Sequence, residues 1–292
     1  MRFRATIEYH GGSFHGSQLQ SNLPTVQGAL ESALSLLFDR SARVAMAGRT
    51  DTGVHASAQE IGFTAPDGWH QPAEVERALQ AVLTTGPAGG AIGVLSVSRA
   101  TENFHPRFSA SARRYQYVIA RGGQRPFWRD RAWAVGWTLD VGVLNELAAT
   151  IVGERSFEGF AKSGQCGNGF SCRVHEAAWR DGPDGLLFFS IIANRFLHRM
   201  VRYLVGTSVE ISAGKRPKQD FCDLLALGNV PAETSAGAKS SSTHQPPRPP
   251  TPAPAEGLYL TGVRYDGRWN REHGIPWLPK SVPAGTFGAD LG

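Results

Sequence analysis

The chain has 292 residues, 41% of them hydrophobic, with 30 Lys plus Arg against 25 Asp plus Glu and a net charge of +5. That is enough apolar material for two ordinary domain cores, and the basic balance points to an acidic or polyanionic ligand. An N-terminus that alternates from the start (MRFRATIEY), without a signal-peptide apolar run, and a longest apolar stretch of only Leu186 to Ala193 lead us to expect a soluble, cytoplasmic protein.

In chain order, Phe3, Ala5, Ile7 and Tyr9 fall on one face of a first strand, with Arg4, Thr6 and Glu8 on the other. Val26, Leu30, Leu34 and Leu37 repeat at helical spacing behind Thr25, an expected N-cap. Gln59 to Phe63 reads as a strand, and Val75, Leu79 and Val82 line a second helix that opens near Pro72. Ile92 to Val97 and Tyr115 to Ala120 supply further strands. The second half repeats the theme, with a helix around Leu144, Leu147 and Ile151, strands near Val174 to Trp179 and Leu186 to Ile192, and helices from Arg195 and Pro217. The pattern is that of two α+β halves, 1–130 and 131–292, with the boundary where Pro126 and three tryptophans interrupt the periodicity. From Asn229 to Glu256 there are seven prolines, and Val230 is the only branched aliphatic, so this stretch reads as an exposed, disordered insertion.

Chemistry concentrates at residues 47–56, AGRTDTGVHA. One carboxylate, Asp51, sits in a glycine-flanked turn with Arg49 and His55 as its ionisable neighbours. Gly48 and Gly53 permit a tight turn and close ligand approach, and Thr50 and Thr52 can fix the loop locally. A lone Asp suits nucleophilic work better than paired acid–base work, although an ordinary Asx turn is the more common meaning of the spacing alone. Arg195, His198, Arg199 and Arg202 follow at i, i+3, i+4 and i+7, which would place them on one face of a helix from Asn194, opposite Leu197, Met200, Val201 and Leu204. Of the 30 basic residues 25 are Arg, and seven lie between Arg107 and Arg131 with one acid, Asp130. Such clustering favours a phosphate-binding track. Cys166, Cys172 and Cys222 are an odd count without zinc spacing, and read as free thiols.

The segment GRTDTGVH resembles the active-site signature of the TruA-type tRNA pseudouridine synthases. Tyr9 to Gly16 (YHGGSFHG), Thr25-Val26-Gln27, Phe104 to Tyr117 (FHPRFSASARRYQY), Asn194 to Leu197 with Met200 to Arg202, Val205-Gly206-Thr207 and Gly257 to Leu260 match further family segments in the same order. The resemblance implies two ferredoxin-like, RRM-like halves with joined, mixed antiparallel sheets and a central active-site cleft. It implies isomerisation of uridine to pseudouridine on the 3′ side of the tRNA anticodon stem-loop, by a homodimer that uses no cofactor or metal.

By the same resemblance Asp51 is the nucleophile, Tyr115 packs on the target uracil, Arg49 helps displace the nucleotide, Arg202 pairs with Asp51, and Leu258 or Leu260 walls the base pocket. His55 is expected to be structural. An opposite charge at Arg202 would keep Asp51 ionised, lowering its pKa by about 1 to 3 units. Ser17, residues 84–90 and Pro106 depart from the family pattern and are expected to bear on RNA docking alone. The competing reading is an inactive RNA-binding or RNA-chaperone protein on the same fold. A nucleoside hydrolase is a weaker third, because its chemistry normally uses a partner carboxylate.

Overall fold

The computed structural model describes residues 1–123, 125–162, 169–228, 247–272 and 274–275. They form two compact units, the first built from Met1–Gln116, Gly182–Asp184 and Ala255–Gly292, the second from Tyr117–Asp181 and Gly185–Pro254.

In the first unit, β1 (Arg2–Tyr9) buries the expected face, with Phe3, Ala5, Ile7 and Tyr9 all at most 5% exposed. It lies between β4 (Ile92–Arg99) and β3 (His55–Thr64), antiparallel to both. β2 (Ala45–Met46) flanks β3. On the other side of β3 comes β10 (Leu258–Tyr265), pairing in parallel through Tyr259–His55 and Leu260–Ala56, and then β5 (Ala112–Arg121). The short β11 (Arg268–Trp269) adds to β10.

Helices cover the apolar face of this sheet. In α1 (Val26–Phe38), Thr25 Oγ1 accepts from the Gly28 amide as an N-cap, worth about 1 kcal/mol, and Val26, Leu30, Ala33, Leu34 and Phe38 are buried. Phe38 thus takes the inward place expected of Leu37 and meets Phe63, which stacks on Phe3. α2 (Pro72–Thr85) opens on Pro72, whose missing N–H costs nothing at the first helical position, and buries Val75, Leu79 and Leu83.

The opposite face of the sheet is polar around Glu60. Glu60, only 1% exposed, accepts from Arg4 Nε at 2.6 Å, Thr6 Oγ1 at 2.8 Å and Asn270 Nδ2 at 3.0 Å, so its buried charge is paired and hydrogen-bonded. The Arg4 guanidinium also lies over the rings of Phe104 and Tyr265.

In the second unit, β9 (Leu186–Ala193) pairs antiparallel with β8 (Ser171–Asp181), and β8 with β7 (Gly153–Ser156), while β6 (Trp133–Val135) runs parallel to residues 119–121 of β5. α3 (Val141–Thr150) is capped by the Asp140 carboxylate and tied to β8 through Asn145, which bonds both the N–H and the C=O of Trp179. α4 (Met200–Ser212) is almost wholly buried, and α5 (Lys218–Ala226) follows Pro217 as expected.

Two expectations change here. The helix assigned from Asn194 begins only at Met200, so Arg195, His198, Arg199 and Arg202 do not share a helical face. The Asn194 side chain accepts from the amides of Arg173 and Arg195, and Arg199 adopts a left-handed backbone (φ 64°) as the residue before the first turn. Local polar bonds therefore outbid helix propagation over these six residues.

The second change concerns the proline-rich insertion. Residues 229–246 lie outside the described residues, but 247–254 form an extended strap on α4 rather than exposed coil. Ala253, 1% exposed, donates to the Arg202 carbonyl and accepts from Arg202 Nε, and Tyr117 donates to the Pro254 carbonyl at 2.7 Å. Prolines suit such a strap because it needs few amide partners. Gly206 makes the approach possible. A Cβ there would stand 2.0 Å from the Thr251 carbonyl oxygen.

Candidate active site

The Asp51 loop joins β2 to β3 and is fastened at both ends by the strands it connects. On the near side, the Ala47 amide donates to the Glu60 carbonyl, and the carboxamide of Gln59, fully buried, bonds both the N–H and the C=O of Gly48 at 3.2 and 2.8 Å. Thr50 is held from three directions: its N–H donates to Ser17 Oγ at 2.8 Å, its carbonyl accepts from the Ser17 amide at 3.0 Å, and its hydroxyl meets Tyr9 OH at 2.8 Å. On the far side, the Val54 amide donates to the Asp51 carbonyl, closing a turn whose third residue, Gly53, has φ +80°. That conformation explains why glycine stands there. Asp51 is thereby presented half-buried on a rigid loop.

Tyr115 and Leu260 face this loop. A Cβ on Gly48 would lie 3.7 Å from Tyr115 OH and 3.6 Å from Leu260 Cδ2, so the phenol and the leucine adjoin the turn that carries Asp51. Of the two leucines proposed as a wall, Leu260 makes this approach, while Leu258 is buried two residues earlier in β10. Burial pushes the Tyr115 hydroxyl well above its ordinary pKa of 10.0, and the neighbouring Tyr9 and Asp51 raise it further. Its phenol is therefore neutral at physiological pH and offers a hydrogen bond or a ring face rather than a phenolate base. Tyr9 behaves alike, pushed up to about 12 by burial.

His55 is structural, as expected. It is 2% exposed, its Nδ1 accepts from the Gly11 amide at 3.0 Å, and its ring stacks on Tyr259 with centroids 4.6 Å apart. Tyr117 is the core tyrosine of the pair with Tyr115, fully buried against Trp133. Arg49 is exposed beside the loop. Arg202 belongs to the second unit, where its Nε donates to the Ala253 carbonyl at 2.7 Å.

Three residues important to the loop were missed or misread in the sequence. Gln59 and Tyr9 stand in strands, where the spacing gives no sign that their side chains reach the loop. Ser17, expected to bear on RNA docking, is instead fully buried and clasps Thr50, next to the catalytic candidate.

The arginine track also thins. Arg114 is 6% exposed and donates to Thr261 Oγ1 and to the carbonyls of Thr261, Arg271 and Glu272. Arg113 spends its guanidinium on the carbonyls of Ala47, Ala110 and Arg107. Both serve as internal struts, while Arg107, Arg129 and Arg131 remain exposed. Cys172 is a buried free thiol, pushed up to about 11 by burial, and Cys222 an exposed one, while Cys166 lies outside the described residues. Among the described residues no cluster of three His, Cys, Asp or Glu side chains could hold a metal ion, and no helix is long and apolar enough to cross a membrane.

Comparison with known proteins places the chain. A family profile described as tRNA pseudouridine synthase matches residues 147–266. A tRNA pseudouridine synthase A of Caulobacter sp. is 36% identical over 270 residues, covering 91% of this chain and 98% of that protein. Those of Neisseria gonorrhoeae and Methylobacillus flagellatus are each 35% identical, covering 92% and 98% of this chain and 93% and 99% of theirs. The chain belongs to the tRNA pseudouridine synthase family, whose α+β fold it shares. It is an isomerase that acts on tRNA.

Proposed function

We propose that this enzyme converts uridine to pseudouridine on the 3′ side of the tRNA anticodon stem-loop, with Asp51 as nucleophile, and that it works as a cytoplasmic homodimer. The observation that carries the assignment is the Asp51 loop itself: a half-buried carboxylate on a turn pinned by Gln59, Ser17 and Tyr9, with a neutral phenol and Leu260 beside it. In the overall reaction the N1–C1′ bond breaks, uracil turns while still bound, a C5–C1′ bond forms, the C5 proton leaves and N1 takes up a proton. Atoms and charge balance without a redox partner. The Asp51 carboxylate attacks C1′ or C6, or supports a glycal route, and the Tyr115 ring stacks on the flipped base, which is worth roughly 1 to 3 kcal/mol. Because its hydroxyl is held neutral, Tyr115 takes the C5 proton only in concert with passing its own to water. Arg49 supports displacement of the target nucleotide, and Arg202 supplies the positive partner of the Asp51 carboxylate.

The test is tritium release from C5-labelled uridine in an unmodified tRNA transcript. Asp51→Asn should lose release by on the order of 10³-fold or more while tRNA affinity stays within about threefold. Wild-type binding without release would return the inactive RNA-binding reading, and free uracil would indicate a hydrolase. Size-exclusion light scattering at micromolar protein reads the dimer.

A further inference from the structure

Within the first unit lies a pocket of about 230 Å³ to which the Asp51 loop contributes Arg49 but not Asp51. Its walls include Gln18, Met46, Arg49, His105, Arg107 and Phe108. The volume is below the roughly 300 to 1,000 Å³ of drug-sized sites, which suits a single planar ring system. Phe108 is 77% exposed, an unusual position for a phenylalanine with no burial to gain.

The aromatic is nonetheless held in place. His105 packs on it with centroids 4.4 Å apart, Arg107 lies 5.7 Å over its ring, and the His105 amide bonds Ser109 Oγ. His105 Nδ1 accepts from the Arg107 amide at 3.1 Å, which leaves the proton on Nε2. Partial burial and the charges of Arg2 and Arg107 lower its pKa, so it is a neutral ring and a donor at physiological pH. A rigid exposed aromatic, a polar amide at Gln18, and two exposed guanidiniums together match the needs of a base with its phosphates: a stacking face, an edge to bond and charge for the backbone.

Resting on the isomerase reading, we infer that this pocket is a subsite for one unpaired RNA base flanking the target uridine, stacked on Phe108 with its phosphate between Arg49 and Arg107. Arg49 lines the pocket while Asp51, two residues on, does not, and neither do Tyr115 and Leu260, so a nucleotide seated here is a neighbour of the one at the carboxylate rather than the target itself. The subsite would hold the strand open while the target is turned.

The experiment compares wild type, Phe108→Ala and Phe108→Trp on three tRNA transcripts: an intact one, and two carrying an abasic residue on either side of the uridine that the wild-type reaction modifies. Tritium release gives KM and kcat, and fluorescence anisotropy gives Kd. Phe108→Ala should raise KM and Kd about 5- to 100-fold on intact tRNA, leave kcat at saturation within about twofold, and lose its disadvantage on one of the abasic transcripts. Phe108→Trp should match wild type. Equal affinity of wild type and Phe108→Ala, or a defect that persists undiminished on both abasic transcripts, overturns the subsite. Failure of wild type to release tritium would instead strike the isomerase reading, and the Kd comparison of wild type with Phe108→Ala on intact tRNA would still decide the subsite.

Discussion

The Asp51 loop and the strap on α4 are both irregular segments pressed against regular structure, yet side chains bond both an amide and a carbonyl of the first and carbonyls of the second. The loop is tied by side chains: Gln59 and Ser17 bond its backbone, and Tyr9 bonds the Thr50 hydroxyl. The strap is held through its carbonyls, Ala253 by Arg202 Nε and Pro254 by the Tyr117 hydroxyl, with one main-chain bond from the Ala253 amide, and it is seated over the missing side chain of Gly206. A loop tied by side chains can be loosened one bond at a time, whereas a strap seated over a glycine is either seated or displaced.

Substitution separates the two. The largest effect is expected at the strap, where Gly206→Ala forces a Cβ against the Thr251 carbonyl and should cost about 3 kcal/mol or more, seen as a lowered midpoint in urea unfolding. A loss below about 1 kcal/mol would mean that the strap shifts freely and the contrast fails. Next is Gln59→Ala, which leaves the N–H and C=O of Gly48 without their buried partner. It should destabilise by about 1 to 3 kcal/mol and lower kcat for tritium release more than it raises KM, because the loop loosens while the RNA surface is unchanged.

Tyr9→Phe is the mildest, removing one hydrogen bond for about 1 kcal/mol. It also sharpens the comparison through pH. The Tyr9 pKa is raised from 10.0 to about 12, so its protonated form stabilises the fold fully below pH 10 and that contribution is lost as pH rises through about 12. Thermal melts of Tyr9→Phe between pH 10 and 12 should therefore fall less steeply than those of wild type. The remaining slope includes Tyr115, Tyr265 and Cys172, whose hydroxyls and thiol burial also pushes up.

What the sequence revealed follows the range of the interactions. The β1 alternation, the Thr25 cap, the Pro72 helix start and the signature around Asp51 are written in consecutive or helically spaced residues, and the structure keeps them. The late start of α4 was hidden because Asn194 takes its amide partner from Arg173, on another strand. Arg114 looked like part of a phosphate track because the carbonyls that bury it, at 261, 271 and 272, lie some 150 residues away. Ser17 and Gln59 became legible only once their partners at Thr50 and Gly48 were placed. A polar side chain that serves a neighbouring backbone has no period of its own.

The parallel pairing of His55 with Tyr259 has a consequence for biosynthesis. About 200 residues separate the two partners, and at roughly 5 to 20 residues per second the ribosome needs about 10 to 40 s to supply the second after the first. Until then β3, which leads directly out of the Asp51 loop, has an unpaired edge toward β10. Nascent chains would thus pass through an interval in which β3 is open to wrong partners, and chaperone capture during that interval would guard the edge until β10 arrives.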